Sequence, residues 1–236
     1  MNFRSTVLIL VAAVIASGCA QVNRQAFNKE AHASLKSIAI TKPQAQEEYE
    51  TVIQAHPGAN FGLIGGLIAV ADMKSKTSRV NAVIEPKEIR LQDRFATKLS
   101  ESLNKAGYDT QVVAVPEEVG KDNIVDYVKK HAGADAVLAI EVEGSYIAAG
   151  PTTDYFPFIR VNAKKVHALT GAILYEDNFT YGYTLQGLKT VHFSPDSSYR
   201  FASIDKLMED PAKTRLALIS GIDSIAEQIA MDLKKN

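Results

Sequence analysis

Apolar positions along this chain fall into two periods, and the switch between them predicts its elements. Leu91, Phe95, Leu99 and Leu103 recur every four residues, flanked by Ile89 and Ala106. Gln92, Asp93, Arg94, Lys98, Glu101 and Asn104 fill the remaining positions, the signature of an amphipathic helix laid on a core. Pro86 precedes it and Gly107 closes it. Leu216, Ile219, Ile222, Ile225, Ile229 and Leu233 mark a second, longer helix at the C-terminus, begun at Asp210-Pro211 and carrying Lys234 and Lys235 near its end. A short helix is expected over Ile124 to Lys130, with Gly133 beyond it.

Strand patterns lie between these. Ser37 to Ile40 is a first strand, ended by Lys42-Pro43, and Asp109 to Val115 is stopped by Pro116. Ala136 to Val142 begins wholly apolar and then alternates, with Ile140 and Val142 on one face and Glu141 and Glu143 on the other. Gly144-Ser145-Tyr146 reads as a turn after it. Ile159 to Leu169 and Ala172 to Leu185 form a hairpin through Thr170-Gly171. Ile173, Tyr175, Phe179, Tyr181 and Tyr183 share one face of its second arm, interrupted by Asp177. Residues 44–56 fit either a helix or an extended segment. The order predicts an α/β fold: one three-layer-like sandwich, a mixed sheet of about four or five strands flanked by helices, with a long C-terminal helix.

Two segments fit neither period. Phe61 to Ala71 is an uncharged run, and Gly58, Gly62 and Gly66 stand four residues apart in and before it. That spacing stacks them on one side of a helix, where a second helix or backbone approaches closely. The seam is either packing within the fold or a contact with a second copy or a membrane. The other segment, residues 150–158, sets Tyr155, Phe156 and Phe158 between Pro151 and Pro157. Rings in a proline-bounded loop either fold back on the core or meet a partner. Tyr199 and Phe201, after the serine-rich turn 194–198, raise the same choice. These five aromatics are the candidate partner-binding residues.

The N-terminus carries an address. Arg4 is a short basic region and Val7 to Ile15 are uncharged and apolar. Ala16, Ser17 and Gly18 are small, as a signal peptidase requires. The apolar stretch is shorter than the ~20 residues that span a bilayer. Ala16-Ser17-Gly18-Cys19 resembles the lipobox of bacterial lipoproteins, with Ala16 where that pattern usually has Leu. The resemblance implies cleavage between Gly18 and Cys19, a diacylglyceryl thioether on Cys19 and an acyl chain on its new amine. Ala20, where Asp would imply inner-membrane retention, implies the outer membrane. The organisation expected is a signal peptide over 1–18, a lipidated N-terminus and polar tether over 19–34, and one α/β periplasmic domain over 35–236.

Composition narrows the chemistry. The net charge of −1 over 236 residues argues against nucleic acid as a partner and against a polybasic membrane binder. A single cysteine excludes an internal disulfide and a cysteine-rich zinc site. His32, His56, His131, His167 and His192 are scattered, without the short spacing of a zinc pair. No nucleophile elbow and no glycine-rich phosphate loop is present. His192 and the serines after it lack the rest of a triad, and Glu141 and Glu143 read as a solvated strand face. No cofactor, no metal and no catalytic residue is expected.

A second resemblance joins these points. Gly133-Ala134-Asp135-Ala136-Val137-Leu138 leads into a strand, and Leu169-Thr170-Gly171-Ala172-Ile173-Leu174-Tyr175-Glu176 joins a later pair. Together they resemble the core of a group of periplasmic lipoprotein domains that includes the curli-secretion lipoprotein CsgG, the penicillin-binding-protein activator LpoB and the N-terminal domain of TolB. The resemblance spans roughly residues 85–185 and implies a non-enzymatic binding or assembly module of an envelope complex, facing the periplasm from the outer membrane. The alternative is an oligomeric, membrane-active or secretion-accessory lipoprotein using the segment 58–71. A periplasmic hydrolase is the weakest alternative.

Overall fold

A computed structural model describes residue 25 and residues 34–116, 118–120 and 123–234. Cys19, Gly18, the signal segment, most of the tether, His32 and Lys235 lie outside the described residues.

The alternating segments assemble into one mixed sheet of seven strands, more than the pattern predicted. They are β1 (Ser37–Thr41), β2 (Glu50–Ile53), β3 (Asp109–Val113), β4 (Ala136–Ala148), β5 (Tyr155–His167), β6 (Ile173–Gly182) and β7 (Val191–Phe193). The order across the sheet is β3-β1-β4-β5-β6-β7, and β2 joins the far end of the β4 edge that β1 occupies. β4 and β5 are the long antiparallel centre, in register from Ala136 opposite His167 to Ala148 opposite Tyr155. The turn predicted at 144–146 is therefore strand. Gly144 is small for packing rather than for turning: a Cβ there would lie 2.9 Å from the Leu91 side chain and 3.4 Å from the Tyr49 ring. The ambiguous segment 44–56 resolves as a loop leading into β2.

The two resembling motifs have plain physical roles. Gly133, at φ 61°, closes a helix in the left-handed region. The Asp135 carboxylate accepts the backbone N–H groups of Lys36 (2.7 Å) and Ser37 (2.9 Å), while Ser37 Oγ accepts the Asp135 N–H at 3.0 Å. This reciprocal clamp sets the start of β1 against the start of β4. It also holds the Asp135 carboxyl below the ordinary aspartate range. Gly171, at φ 73°, turns the β5–β6 connection.

Helices cover the two faces unequally. α1 (Gly62–Ile84), α2 (Pro86–Ile89), α3 (Leu91–Lys105), α5 (Ile204–Glu209) and α6 (Pro211–Asp232) lie on one face, and α4 (Ile124–Ala132) on the other. The main core joins Ile38, Ile40, Leu138, Ile140, Ile159, Val161 and Phe179 of the sheet to Phe95 and Leu99 of α3 and Ile222, Ile225 and Ile229 of α6. Gly221 lets α6 sit down on the sheet, since a Cβ there would lie 2.6 Å from the Tyr181 ring. A smaller cluster of Ala39, Val128 and Val137 lies under α4. Asp177, which interrupts the apolar face of β6, is buried, as is Lys165 on β5. The Lys165 ammonium lies 4.5 Å over the Tyr108 ring, and Tyr108 donates its hydroxyl to the Leu233 carbonyl at 2.8 Å. Burial pushes the Tyr108 phenol up to about 12.

Candidate interaction surface

The aromatic segments that the sequence offers as partner anchors are largely enclosed by the fold. β5 begins at Tyr155, so the loop is shorter than expected and the rings stand on a strand. Tyr155, Phe158 and Phe201 are buried. Tyr155 and Phe201 exchange backbone hydrogen bonds of 2.7 and 3.0 Å, which draws the chain after the serine turn onto the end of β5. The Phe201 ring then meets Tyr146 edge-on, with centroids 6.0 Å apart, and the Lys213 ammonium of α6 lies 5.2 Å over it. Gly182, at φ 93°, lets β6 close on Pro157, whose carbonyl accepts the Tyr183 N–H at 3.0 Å. The partner-binding reading of Tyr155, Phe158 and Phe201 is therefore corrected: they are core. Phe156 and Tyr199 are half-buried. Phe156 lies under the Arg200 guanidinium, which is paired with Asp154, while Tyr199 packs against the core.

The uncharged run is the opposite case. It forms the first turns of α1, and Phe61, Leu63, Ile64, Leu67, Ile68 and Val70 are 61% to 83% exposed. Only Gly65 and Ala69 of this stretch face the body. The close approach that glycine spacing predicted exists, but between a different pair. A Cβ on Gly65 would stand 2.2 Å from the Gly58 carbonyl oxygen, and one on Gly58 would stand 2.5 Å from that of Gly65. Gly58 belongs to a 3-10 turn folded back on the helix, not to the helix itself. Gly62, at φ 63°, and Gly66 have nothing within 4 Å of a Cβ position, so neither packs within the fold.

The rest of α1 is held firmly. Thr51 N–H donates to Thr77 Oγ1 at 2.9 Å and Tyr49 N–H to Asn81 Oδ1 at 2.9 Å. Two strand residues here match four helix residues, each step about 6 Å, so α1 runs antiparallel to β2. Arg215 of α6 donates to the Ile84 and Val83 carbonyls at 2.9 and 3.0 Å, satisfying the helix end. Arg79 pairs with Asp205 at 2.7 Å. Asp72 marks the boundary. It accepts from Lys76 and lies 3.1 Å from His56 Nε2, and the Lys76 bond chiefly keeps its carboxyl below the usual range. Between Phe61 and Asp72 the helix is covered along the side of Gly65 and Ala69 and bare elsewhere. Leu63 lies roughly 20 Å past Thr77 along the axis, which carries the tip beyond the end of β2.

A second feature is a cleft of about 440 Å³ where β4 has no strand beside it. β1 pairs with residues 136–138 and β2 with 145–148, and residues 42–49 arch over the interval. Side chains replace the missing strand there. Thr41 Oγ1 accepts the Ile140 N–H at 2.8 Å, and the Gln46 amide makes paired 2.9 Å bonds to the Gly144 N–H and carbonyl. Glu141, Glu143 and Glu50 line the cleft, with Lys42 at its rim already paired to Asp93 at 2.7 Å. Glu141 accepts from Asn162 at 3.0 Å. Among the described residues no group of three or more His, Cys, Asp and Glu could hold a metal ion. The described histidines are separate: His131 stacks on Tyr127, His167 bonds the Leu169 N–H, and His192 sits between Thr180 and Thr184.

No protein-family model matches the chain, and no curated protein matches it. Solved structures that this chain is distantly similar to include a PelC dodecamer from Paraburkholderia phytofirmans, at 12% identity over 91% of this chain and 97% of that one, TM-score 0.36. Protein XCC0632 from Xanthomonas campestris is 11% identical over 89% and 93%, TM-score 0.40. Lipoprotein GNA1162 from Neisseria meningitidis is 18% identical over 64% and 88%, TM-score 0.29. Bacterial lipoproteins are thus among the structures this chain is similar to, all as distant likenesses. Among the described residues no helix is long and apolar enough to cross a membrane.

Proposed function

We propose that this protein is a lipid-anchored envelope module that works by contact and not by turnover, presenting the apolar tip of α1 to a binding surface. The observation that carries the reading is the exposed run Phe61 to Val70. Its six large side chains expose on the order of 700 Å² of apolar surface, above the ~300–600 Å² of the largest patch on an ordinary monomer. Anchoring is the part the N-terminal sequence supports. Acyl chains on Cys19 hold the domain at the outer membrane facing the periplasm, where a modest affinity suffices because the effective concentration is high.

Both parts are open to direct test. Metabolic palmitate labelling marks the full chain and is lost in Cys19→Ser; a Cys19→Ser protein that still carries label overturns the anchor. For the surface, Leu63→Glu with Leu67→Glu places two charges on the tip and leaves the core untouched. The expected result is an unchanged melting curve with loss of the protein's cross-links in intact cells. An unchanged cross-link pattern overturns the contact reading.

A further inference from the structure

We infer that His56 is an acid-sensitive latch at the entry to α1: as a neutral imidazole it caps the turn over residues 57–60, and on protonation it lets that turn go. The latch works the same way whatever surface the tip of α1 meets. Each ring nitrogen has its own bond. The Gly58 N–H donates to His56 Nδ1 at 3.1 Å, so Nδ1 offers a lone pair and carries no hydrogen. Nε2 lies 3.1 Å from the Asp72 carboxylate and is the nitrogen that bears the hydrogen. The ring is thus held between the turn and the helix, with only 13% of the side chain exposed.

These bonds decide where an added proton goes. Asp72 stays ionised, because the Lys76 bond chiefly, and His56 after it, keep its carboxyl below the usual range. An ionised carboxylate accepts and cannot donate, so Nε2 keeps its hydrogen and the proton must go to Nδ1. There it meets the Gly58 N–H, donor against donor. The imidazolium binds Asp72 more strongly than the neutral ring does, as charge-assisted bonds do. Gly58 is packed against Gly65 and Ala69, where a Cβ on it would stand 2.5 Å from the Gly65 carbonyl oxygen and 3.2 Å from the Ala69 Cβ. The ring therefore stays with Asp72, and the turn loses its cap.

The surrounding groups leave this balance in place. α1 presents Asp72 and Lys76 to the ring. The turn itself, Pro57-Gly58-Ala59-Asn60, carries no titratable side chain. Gln54 and Ala55, which lead into it, are uncharged and are held by backbone bonds of 2.9 Å to Ala148 and Ala149. From the start of β5 comes the Tyr155 phenol, pushed up by burial first and by the Asp72 charge second, so it stays neutral where imidazoles titrate. The sign follows: the cap is present in neutral and basic solution and is lost as pH falls through about 8 to 5. With it goes the hold on the first turn of α1, since the Phe61 N–H donates to the Gly58 carbonyl at 3.1 Å. Acid loosens the entry to the apolar run and leaves the sheet alone.

The test is hydrogen exchange of the full-length chain at pH 8 and pH 5, each rate taken relative to an unprotected chain at the same pH. Protection over residues 57–61 should fall about tenfold toward pH 5, the size of a lost N-cap bond, while β4 keeps its own. His56→Asn offers an uncharged side-chain acceptor to the same N–H and should hold the protection at both pH values. Equal protection of 57–61 at the two pH values in the parent overturns the latch. So does a His56→Asn chain that loses protection as the parent does, and so does a fall that β4 shares. If His56→Asn fails to fold, the parent decides alone through the nitrogen chemical shifts of its imidazole. Nδ1 should gain its proton in step with the loss of protection at Gly58, and a ring that titrates with Gly58 unchanged overturns the latch.

Discussion

The tip of α1 and the start of β5 are short, uncharged and rich in large apolar side chains, yet one lies bare and the other is sealed. The difference is geometric. On β5, alternate residues point to opposite faces, so Tyr155 turns inward while Phe156 turns out to meet Arg200. The strand is flanked by β4 and β6, and the Phe201 segment and α6 close over its inner face. On α1, consecutive apolar residues are spread around the whole circumference, and a body that touches one side covers only a third or so of it. Gly65 and Ala69 use that side, and the remaining side chains have nowhere inward to go. A helix apolar all round is stable in water only when something else covers it.

The sharpest way to break this comparison is to truncate one member of each region. Phe201→Ala removes a buried ring in contact with Tyr146 and Lys213, and it should cost about 3–5 kcal/mol. Leu67→Ala on the tip should stay within ~0.5 kcal/mol, as exposed substitutions do. Chemical denaturation of both variants measures the two values side by side. Equal losses would mean that the tip is covered within its own chain.

A second test separates the two glycines that adjoin each other at the boundary between covered and bare surface. Gly65→Val forces a side chain into the Gly58 backbone, and since backbone cannot rotate away the turn before the helix must shift. Overpacking of this kind costs typically about 1–3 kcal/mol. The melting temperature should fall, and proteolysis within 57–61 should quicken. A variant as stable as the parent would remove the close approach on which the seating of the tip depends.

The third effect is smaller and lies at the other end of the sheet. Asp135→Asn keeps the shape of the β1–β4 clamp but weakens two charge-assisted bonds. Because Asp135 is half-exposed, the loss should be near ~1 kcal/mol. Its folded carboxyl lies below the ordinary aspartate value, so its contribution is complete above about pH 4 and is lost as pH falls through the folded value. The parent should therefore lose its advantage over Asp135→Asn in acid. A constant difference between the two from pH 7 to pH 2 would take the carboxylate out of the account.

How far the chain could be read in advance follows the same division. The helices over α3 and α6 were legible because each shows one apolar stripe against polar faces, and the hairpin because its arms alternate around Thr170-Gly171. β7 has no counterpart in the sequence pattern, and β2 stays undecided there between helix and extended segment, because three and four residues are too short for a period to register. The continuation of β4 past Val142 was hidden by Gly144, which reads as a turn and serves as packing space under Leu91 and Tyr49. The aromatics were misread because Pro151 and Pro157 suggest a loop. Pro157 lies inside β5, where its carbonyl still accepts the Tyr183 N–H. The uncharged run was recognised as unusual, but the pairing of Gly58 with Gly65 depends on a fold-back before the helix that spacing along one helix does not encode.

The smallest expected effect is also the one with the opposite sign. Gly66 is helical, half-exposed, and has open space where a Cβ would go. Alanine restricts the unfolded chain and is the better helix former, so Gly66→Ala should stabilise the protein by up to ~1 kcal/mol. The adjacent change Gly65→Ala has the same propensity gain, yet it should destabilise, because its methyl group meets the Gly58 carbonyl at 2.2 Å. Two identical substitutions one residue apart then move the melting temperature in opposite directions, and the helix propensity term cancels between them. What is left is the difference between a covered and a bare side of one helix.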